Sequence, residues 1–276
     1  MADDAQPARR DPPAAVSVRV DTGAYSASLL PPDEQTKGEI GPGDFRAVGE
    51  QFLGHFRDLG GLRRTDRVLD IGCGSGRMAA PLTVFLDPSR GSYEGFDVTE
   101  AGVSWCRHAY QQHPNFRFRH AEIQSDLYEL AHGVAAEEYR FPYEDREFDF
   151  VLLASIFTHL MPAVVEHYLD EISRVLKPGG TCFATYYLMD PRVLDLSRDT
   201  PAALKFHRMT LDGPAWTTDP GNPEAVVGYD LDHVLYLYAV RALAIAGLHR
   251  GRWPVVYPVL MPEARSYQDI VVARRS

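Results

Sequence analysis

The segment of this chain best equipped for chemistry is Arg67-Val-Leu-Asp70-Ile-Gly72-Cys73-Gly74-Ser-Gly76, a short apolar run that ends in an acid and then carries glycines at alternate positions. Glycines are needed where the backbone must turn tightly and lie flush against a ligand, because any Cβ would obstruct both. The spacing separates two kinds of ligand. A dinucleotide turn wants G-x-G-x-x-G, with the pyrophosphate on a helix N-terminus. Here the third glycine comes one place early, and Arg77 stands at the dinucleotide position. Asp70, at the tip of the run, would repel a pyrophosphate. The pattern favours an adenosine compound without phosphates that carries a positive group for Asp70 to face. A second candidate is His159, in Phe157-Thr-His-Leu160 just past another apolar run. An imidazole there is placed either to act as a base or to fix a turn by packing.

These residues need a scaffold, and the sequence supplies one. Asp44 is placed to cap a helix whose apolar residues Phe45, Val48, Phe52, Phe56 and Leu59 share one face, and Gly60-Gly61 stops it. Strands are predicted near 67–71, 92–97, 116–120, 148–154 and 180–187, with helices between them. One helix, Met78 to Phe85, follows the glycines. Another starts at Pro162 and turns Val164, Val165, Tyr168, Leu169 and Ile172 inward. Val151-Leu-Leu-Ala154 is a continuous apolar run, as a parallel strand covered on both faces should be. The alternation reads as a Rossmann-like, doubly wound α/β sheet. A further helix is predicted from Leu231 to Ala246. The segments Trp253-Pro-Val-Val-Tyr257 and Gln268-Asp-Ile-Val-Val-Ala273 follow it.

Taken together, these motifs resemble the class I S-adenosylmethionine (SAM)-dependent methyltransferases. Asp70-Ile-Gly-Cys-Gly-Ser-Gly76 matches the family's first motif, so the resemblance implies cofactor contacts from Asp70, Gly72, Cys73, Gly74 and Gly76. Asp97, closing Tyr93-Glu-Gly-Phe-Asp97, matches the acid that binds the ribose hydroxyls, with Val98 beside it. Phe118-Arg-His-Ala-Glu122-Ile123 resembles the third-strand motif that contacts adenine, although the family more often has Asp where Glu122 stands. Phe148-Asp-Phe-Val-Leu-Leu-Ala154 and Ile172-Ser-Arg-Val-Leu-Lys-Pro-Gly-Gly180 look like the fourth strand and the approach to the fifth, which puts Ala154 at the ligand edge. The resemblance covers roughly 44–187 well and 231–275 more loosely. It implies a mostly parallel seven-stranded sheet with an antiparallel last strand, SAM as cofactor, and no metal. It also implies that the segments 253–257 and 268–273 form the closing antiparallel pair.

Composition narrows the acceptor. The 276 residues are 45% apolar, enough for one large α/β domain. A net charge of −10 argues against a nucleic-acid partner. The segment Ala154-Ser-Ile-Phe157 stands where enzymes that methylate exocyclic base amines carry Asn/Asp-Pro-Pro-Tyr. No apolar run is long enough to span a membrane, and the N-terminus lacks an apolar signal region, so a cytoplasmic protein is expected. Residues 1–43 read as a flexible arm or lid carrying Tyr25, and 44–276 as the methyltransferase domain. Within that domain, 188–230 breaks the rhythm with five prolines and reads as a cap insertion over the substrate. Tyr186 and Tyr187 at the fifth strand, His207 and Trp216 in the insertion, and Trp253 in the tail are candidates to line an acceptor pocket. The expected function is methyl transfer to a small molecule such as a specialised metabolite, and a homo-oligomer remains open. Methylation of protein or nucleic acid, or SAM binding without methylation, are the alternatives.

Overall fold

The computed structural model describes residues 25–32, 43–125, 127–200, 203–254 and 264–276. Asp44 starts helix α1 (Phe45–Asp58) by accepting the Ala47 N–H at 2.7 Å, which satisfies one of the donors a helix start leaves open. Strand β1 (Arg67–Ile71) leads through the glycine turn to α2 (Ala79–Phe85). Then come β2 (Ser92–Asp97), α3 (Glu100–Ala109) and β3 (Phe116–His120). After a long connection follow β4 (Phe148–Leu153), α4 (Pro162–Val175) and β5 (Leu176–Tyr186). The insertion contributes β6 (Leu188–Met189), α5 (Pro191–Asp199), β7 (His207–Arg208), β8 (Ala215–Thr217) and β9 (Val227–Asp230). The chain closes with α6 (Leu231–Ala239), β10 (Leu243–His249) and β11 (Asp269–Arg275).

The main sheet has seven strands in the order β10-β11-β5-β4-β1-β2-β3. The pairings from β5 through β3 are parallel, and β11 runs antiparallel to both its neighbours. This is the Rossmann-like sheet expected from the motif order. Its central strands are buried on both faces: Val151, Leu152 and Leu153 are all fully covered. One face packs on α4 and α6 through residues such as Val165, Leu169 and Leu237, the other on α1 and α2 through Phe56, Leu53 and Leu82. No helix among the described residues is long and apolar enough to cross a membrane.

Three sequence expectations change. The helix predicted over Leu231 to Ala246 stops at Ala239, and Ala242 takes a left-handed φ of 55°. The apolar run that follows becomes strand β10, because at the sheet edge it bonds to β11. The antiparallel partner of the last strand is therefore Leu243–His249. Trp253 instead lies in a turn, and Tyr257 lies outside the described residues. Finally, the insertion is not a bare loop: it builds a second sheet in the order β6-β9-β8-β7. The stretch 1–24 of the N-terminal arm lies outside the described residues.

Candidate active site

β1, β2 and β4 end on the same edge of the sheet, and a cavity of about 390 Å³ opens there. Asp97, the last residue of β2, organises its floor. One carboxylate oxygen accepts the Gly74 N–H at 2.7 Å, and the other accepts the Thr99 N–H at 2.8 Å and the Thr99 hydroxyl at 2.6 Å. The acid thus ties the glycine turn to the start of α3, and it lines the cavity itself. The turn is also pinned by the Gly72 and Cys73 N–H groups, which both donate to Phe96 O. Gly72 has φ +77°, a conformation that favours glycine. A Cβ there would stand 2.0 Å from Ile156 Cδ1 and 4.0 Å from Asp97 Oδ2, so the bare glycine face is cavity wall.

These features fit SAM. A carboxylate with lone pairs to spare faces the cavity for ribose hydroxyls. Val98 and Ile123 give an apolar slot beside it for a flat base. Gly72 leaves the backbone bare at the floor.

Asp70 lies elsewhere. It is 1% exposed, does not line the cavity, and accepts the Tyr93 hydroxyl at 2.6 Å. Burial pushes its pKa up to about 7, against the pull of the Tyr93 bond. The positive group expected to face Asp70 has no direct path to it, because the carboxylate points back into the protein. Cys73 is buried, with its Sγ against the Gly95 backbone. Glu122 is exposed and outside the cavity, and its backbone carbonyl bonds Val134 N–H. Gly74, Gly76 and Ala154 adjoin the site without lining it. Of the ten residues expected to contact cofactor, Gly72, Asp97, Val98 and Ile123 line this cavity.

His159 does reach the cavity. Its Nδ1 lies 3.0 Å from the backbone carbonyl of Glu224, in the insertion. A carbonyl only accepts, so Nδ1 carries the proton and Nε2 the lone pair. Burial lowers the pKa below the usual histidine value, against the opposing effect of backbone hydrogen bonds, so the ring is neutral at pH 7. The ring therefore presents a basic nitrogen without needing to lose a proton first.

The residues expected to bind acceptor sit elsewhere, for a physical reason in each case. Tyr186 is fully buried on the α6 side of β5 and shares a hydrogen bond with Tyr238. Alternation along the strand sends Tyr187 the other way, against Phe206 and Trp253. The Trp253 indole N–H donates to Asp269 at 2.8 Å. Trp216 bonds Asp230, and Arg208 lies over its ring. His207 is exposed on β7. Tyr25 packs beside α1 with the Arg46 guanidinium 4.2 Å from its ring centre. None of the six lines the cavity.

Other residues do. The long excursion between β3 and β4 folds back through bridges between Ile123 and Val134 and between Ser125 and Leu130. It brings Leu127, Tyr128 and Glu137 to the cavity. Nothing periodic in its sequence signals this. Val164 and Tyr168, read as the inward face of α4, also reach it. Ser155 adopts a left-handed φ of 62°, held by its N–H to Thr185 Oγ1 at 2.7 Å and its hydroxyl to Gln268 at 3.0 Å. A non-glycine residue there costs about 1–2 kcal/mol, and the turn it makes directs the 156–161 segment along the cavity.

The family described as "Methyltransferase domain" matches residues 69–184. A phthiotriol/phenolphthiotriol dimycocerosates methyltransferase of Mycobacterium tuberculosis (strain ATCC 25177 / H37Ra) is 33% identical over 123 residues, 45% of this chain and 37% of that protein. A fatty-acid O-methyltransferase of Mycolicibacterium smegmatis is 32% identical over 114 residues, 41% of this chain and 34% of that protein. The chain thus spans little more than a third of the length of the curated relatives it matches. Among solved structures, the PH0226 protein of Pyrococcus horikoshii superposes with TM-score 0.56 at 17% identity, over 87% of this chain and 95% of that one. A SAM-dependent methyltransferase of Mesorhizobium loti gives 0.52 at 16% identity, over 80% and 97%. Residues 69–184 match the methyltransferase-domain family, and the chain shares its fold with a solved SAM-dependent methyltransferase.

Proposed function

We propose that this chain is a cytoplasmic enzyme that transfers a methyl group from SAM to an uncharged or amine-bearing small molecule with an apolar body. The observation that carries the reading is that Gly72, Asp97 and the neutral imidazole of His159 share one cavity. When bound, SAM supplies an electrophilic methyl on a positively charged sulfur. Asp97 would hold the ribose hydroxyls, and Val98 and Ile123 would cover the base. With SAM in place, an acceptor oxygen or nitrogen would take that methyl, and the sulfur would keep the electron pair of the bond it loses. His159 Nε2 takes the proton that the acceptor gives up. Holding acceptor and methyl in line contributes at least as much as the base does.

Charge supports the acceptor class. Among the described residues lining the cavity are the acidic residues Asp97, Glu137 and Glu224, with no lysine or arginine. Such a lining repels an acceptor carboxylate and suits a neutral or cationic group. The walls from Ile156, Leu160, Met161 and Val164 suit an apolar body. That wall agrees with the fatty acid in one relative's name; the charge does not favour an acid, and the reading follows the charge.

The test is production of S-adenosylhomocysteine with matched sets of aliphatic and aromatic alcohols, amines and carboxylic acids. Turnover of alcohols or amines that His159→Gln lowers, with acids inert, is the expected result. Turnover confined to the acids refutes the acceptor class.

A further inference from the structure

The segment that carries His159 is held by the insertion. The insertion occupies three groups of residues 158–160. Thr158 O accepts the Val227 N–H at 2.7 Å. Glu224 O accepts from His159 Nδ1 at 3.0 Å. Leu160 O accepts the Tyr229 hydroxyl. Two of these bonds come from β9, and the third comes from the single turn Pro223–Ala225 that precedes it. That turn has its own anchor. The Thr217 hydroxyl on β8 lies 3.1 Å from Pro223 O and 3.2 Å from Asp219 O, and accepts the Asp219 N–H at 3.1 Å. Thr217 is 1% exposed and Tyr229 fully buried, and neither lines the cavity.

The chemistry of imidazole makes this arrangement more than support. A neutral histidine side chain in water prefers its proton on Nε2, which leaves no lone pair there. A carbonyl fixed opposite Nδ1 reverses the preference, because only the Nδ1–H form donates to it. The carbonyl must stay within hydrogen-bond reach to do so. Its position depends on Thr217 through the turn, and the ring's position depends on Tyr229 through Leu160.

We propose that Thr217 and Tyr229 are positioning residues: through the turn 223–225 and the Leu160 carbonyl they hold His159 in the tautomer that presents a basic Nε2 to the acceptor. The inference rests on the reading of His159 as the base. It gives the insertion a role in the transfer step, apart from any contact with the acceptor.

The test uses the full chain labelled with ¹⁵N and ¹³C histidine, the His159 signal being assigned by its loss in His159→Gln among the chain's ten histidines. In the wild type the His159 shifts should report Nδ1–H at pH 7.5. Thr217→Val keeps the side chain's shape and removes the hydroxyl. It should move those shifts toward the Nε2–H form and lower kcat roughly 10-fold or more, since a general base contributes 10²–10⁴-fold. The KM for SAM should stay within about 2-fold, because the residue lies outside the cofactor cavity, and Thr217→Ser should restore both kcat and tautomer. Tyr229→Phe provides a second variant that reaches the same ring by the other bond. Unchanged His159 shifts in either folded variant overturn the positioning role. Shifts that move while turnover stays at wild-type level overturn the base assignment instead, so the two failures are distinguishable.

Discussion

Replacing Asp97 by Asn changes one atom and should weaken two things at once. In the ligand-free protein the carboxylate accepts from Gly74 N–H, Thr99 N–H and the Thr99 hydroxyl, at 2.6–2.8 Å. A carboxylate accepts at both oxygens, whereas an amide accepts at one end and donates at the other. In either orientation the asparagine NH₂ meets a backbone N–H: that of Gly74 one way, that of Thr99 the other. One largely buried donor is then left unpaired, which costs about 1–3 kcal/mol. The ribose hydroxyls of SAM would share the same carboxylate, and hydrogen bonds to a charged group contribute about 1.5–3 kcal/mol each. Losing the equivalent of one such bond weakens binding about 10- to 150-fold. Urea unfolding of the ligand-free protein reads the first effect, and calorimetric titration with S-adenosylhomocysteine reads the second. Wild-type affinity in a folded Asp97→Asn protein would refute the placement of the ribose at Asp97. Unchanged urea stability would refute the claim that this acid anchors the glycine turn.

Gly72→Ala places a methyl group against Ile156 in a backbone with φ +77°. It should cost about 1–2 kcal/mol of stability from the left-handed backbone and weaken cofactor binding, measured by thermal unfolding with and without ligand. Asp70 has a folded pKa of about 7, raised by burial above its unfolded value, so its favourable contribution is present below about pH 4 and is lost as pH rises through 7. Asp70→Asn should therefore stabilise the ligand-free protein more at pH 8 than at pH 5, by on the order of 2 kcal/mol, and an equal effect at both values would contradict the buried ionisation. His159 has its pKa lowered by burial, so the acid limb of kcat that this group causes should have its midpoint below the ordinary histidine value of about 6.5. An acid limb above pH 6.5 that vanishes in His159→Gln would place that ring in a different environment.

The part of the cavity proposed for the cofactor was legible because its signals are local. Asp70 through Gly76, Asp97 and Ile123 are read from a strand, its last residue and the turn after it, and backbone geometry alone then carries Gly72, Asp97 and Ile123 to one edge. Asp70 was legible as a position and not as a direction: a strand-end acid could face the ligand or turn inward, and only the Tyr93 hydroxyl, 23 residues away, decides it. The part proposed for the acceptor was not legible, since it comes from long-range folding. Leu127, Tyr128 and Glu137 reach the cavity on an excursion held by two isolated bridges. Glu224 acts on His159 through its backbone carbonyl, which no side-chain pattern reveals. The large aromatics were read as pocket lining by size, but size equally suits them to pack, as Tyr186 and Trp253 do. β10 was hidden because Leu243-Ala-Ile-Ala-Gly-Leu248 lacks a period of two and continues a helical pattern past Ala242.

A crystal structure with S-adenosylhomocysteine tests the central claim most directly. The account predicts the ribose hydroxyls within hydrogen-bond distance of Asp97, the base against Val98 and Ile123, and the sulfur in the same cavity as His159. The ligand bound at any other site, or the sulfur walled off from His159, would contradict it.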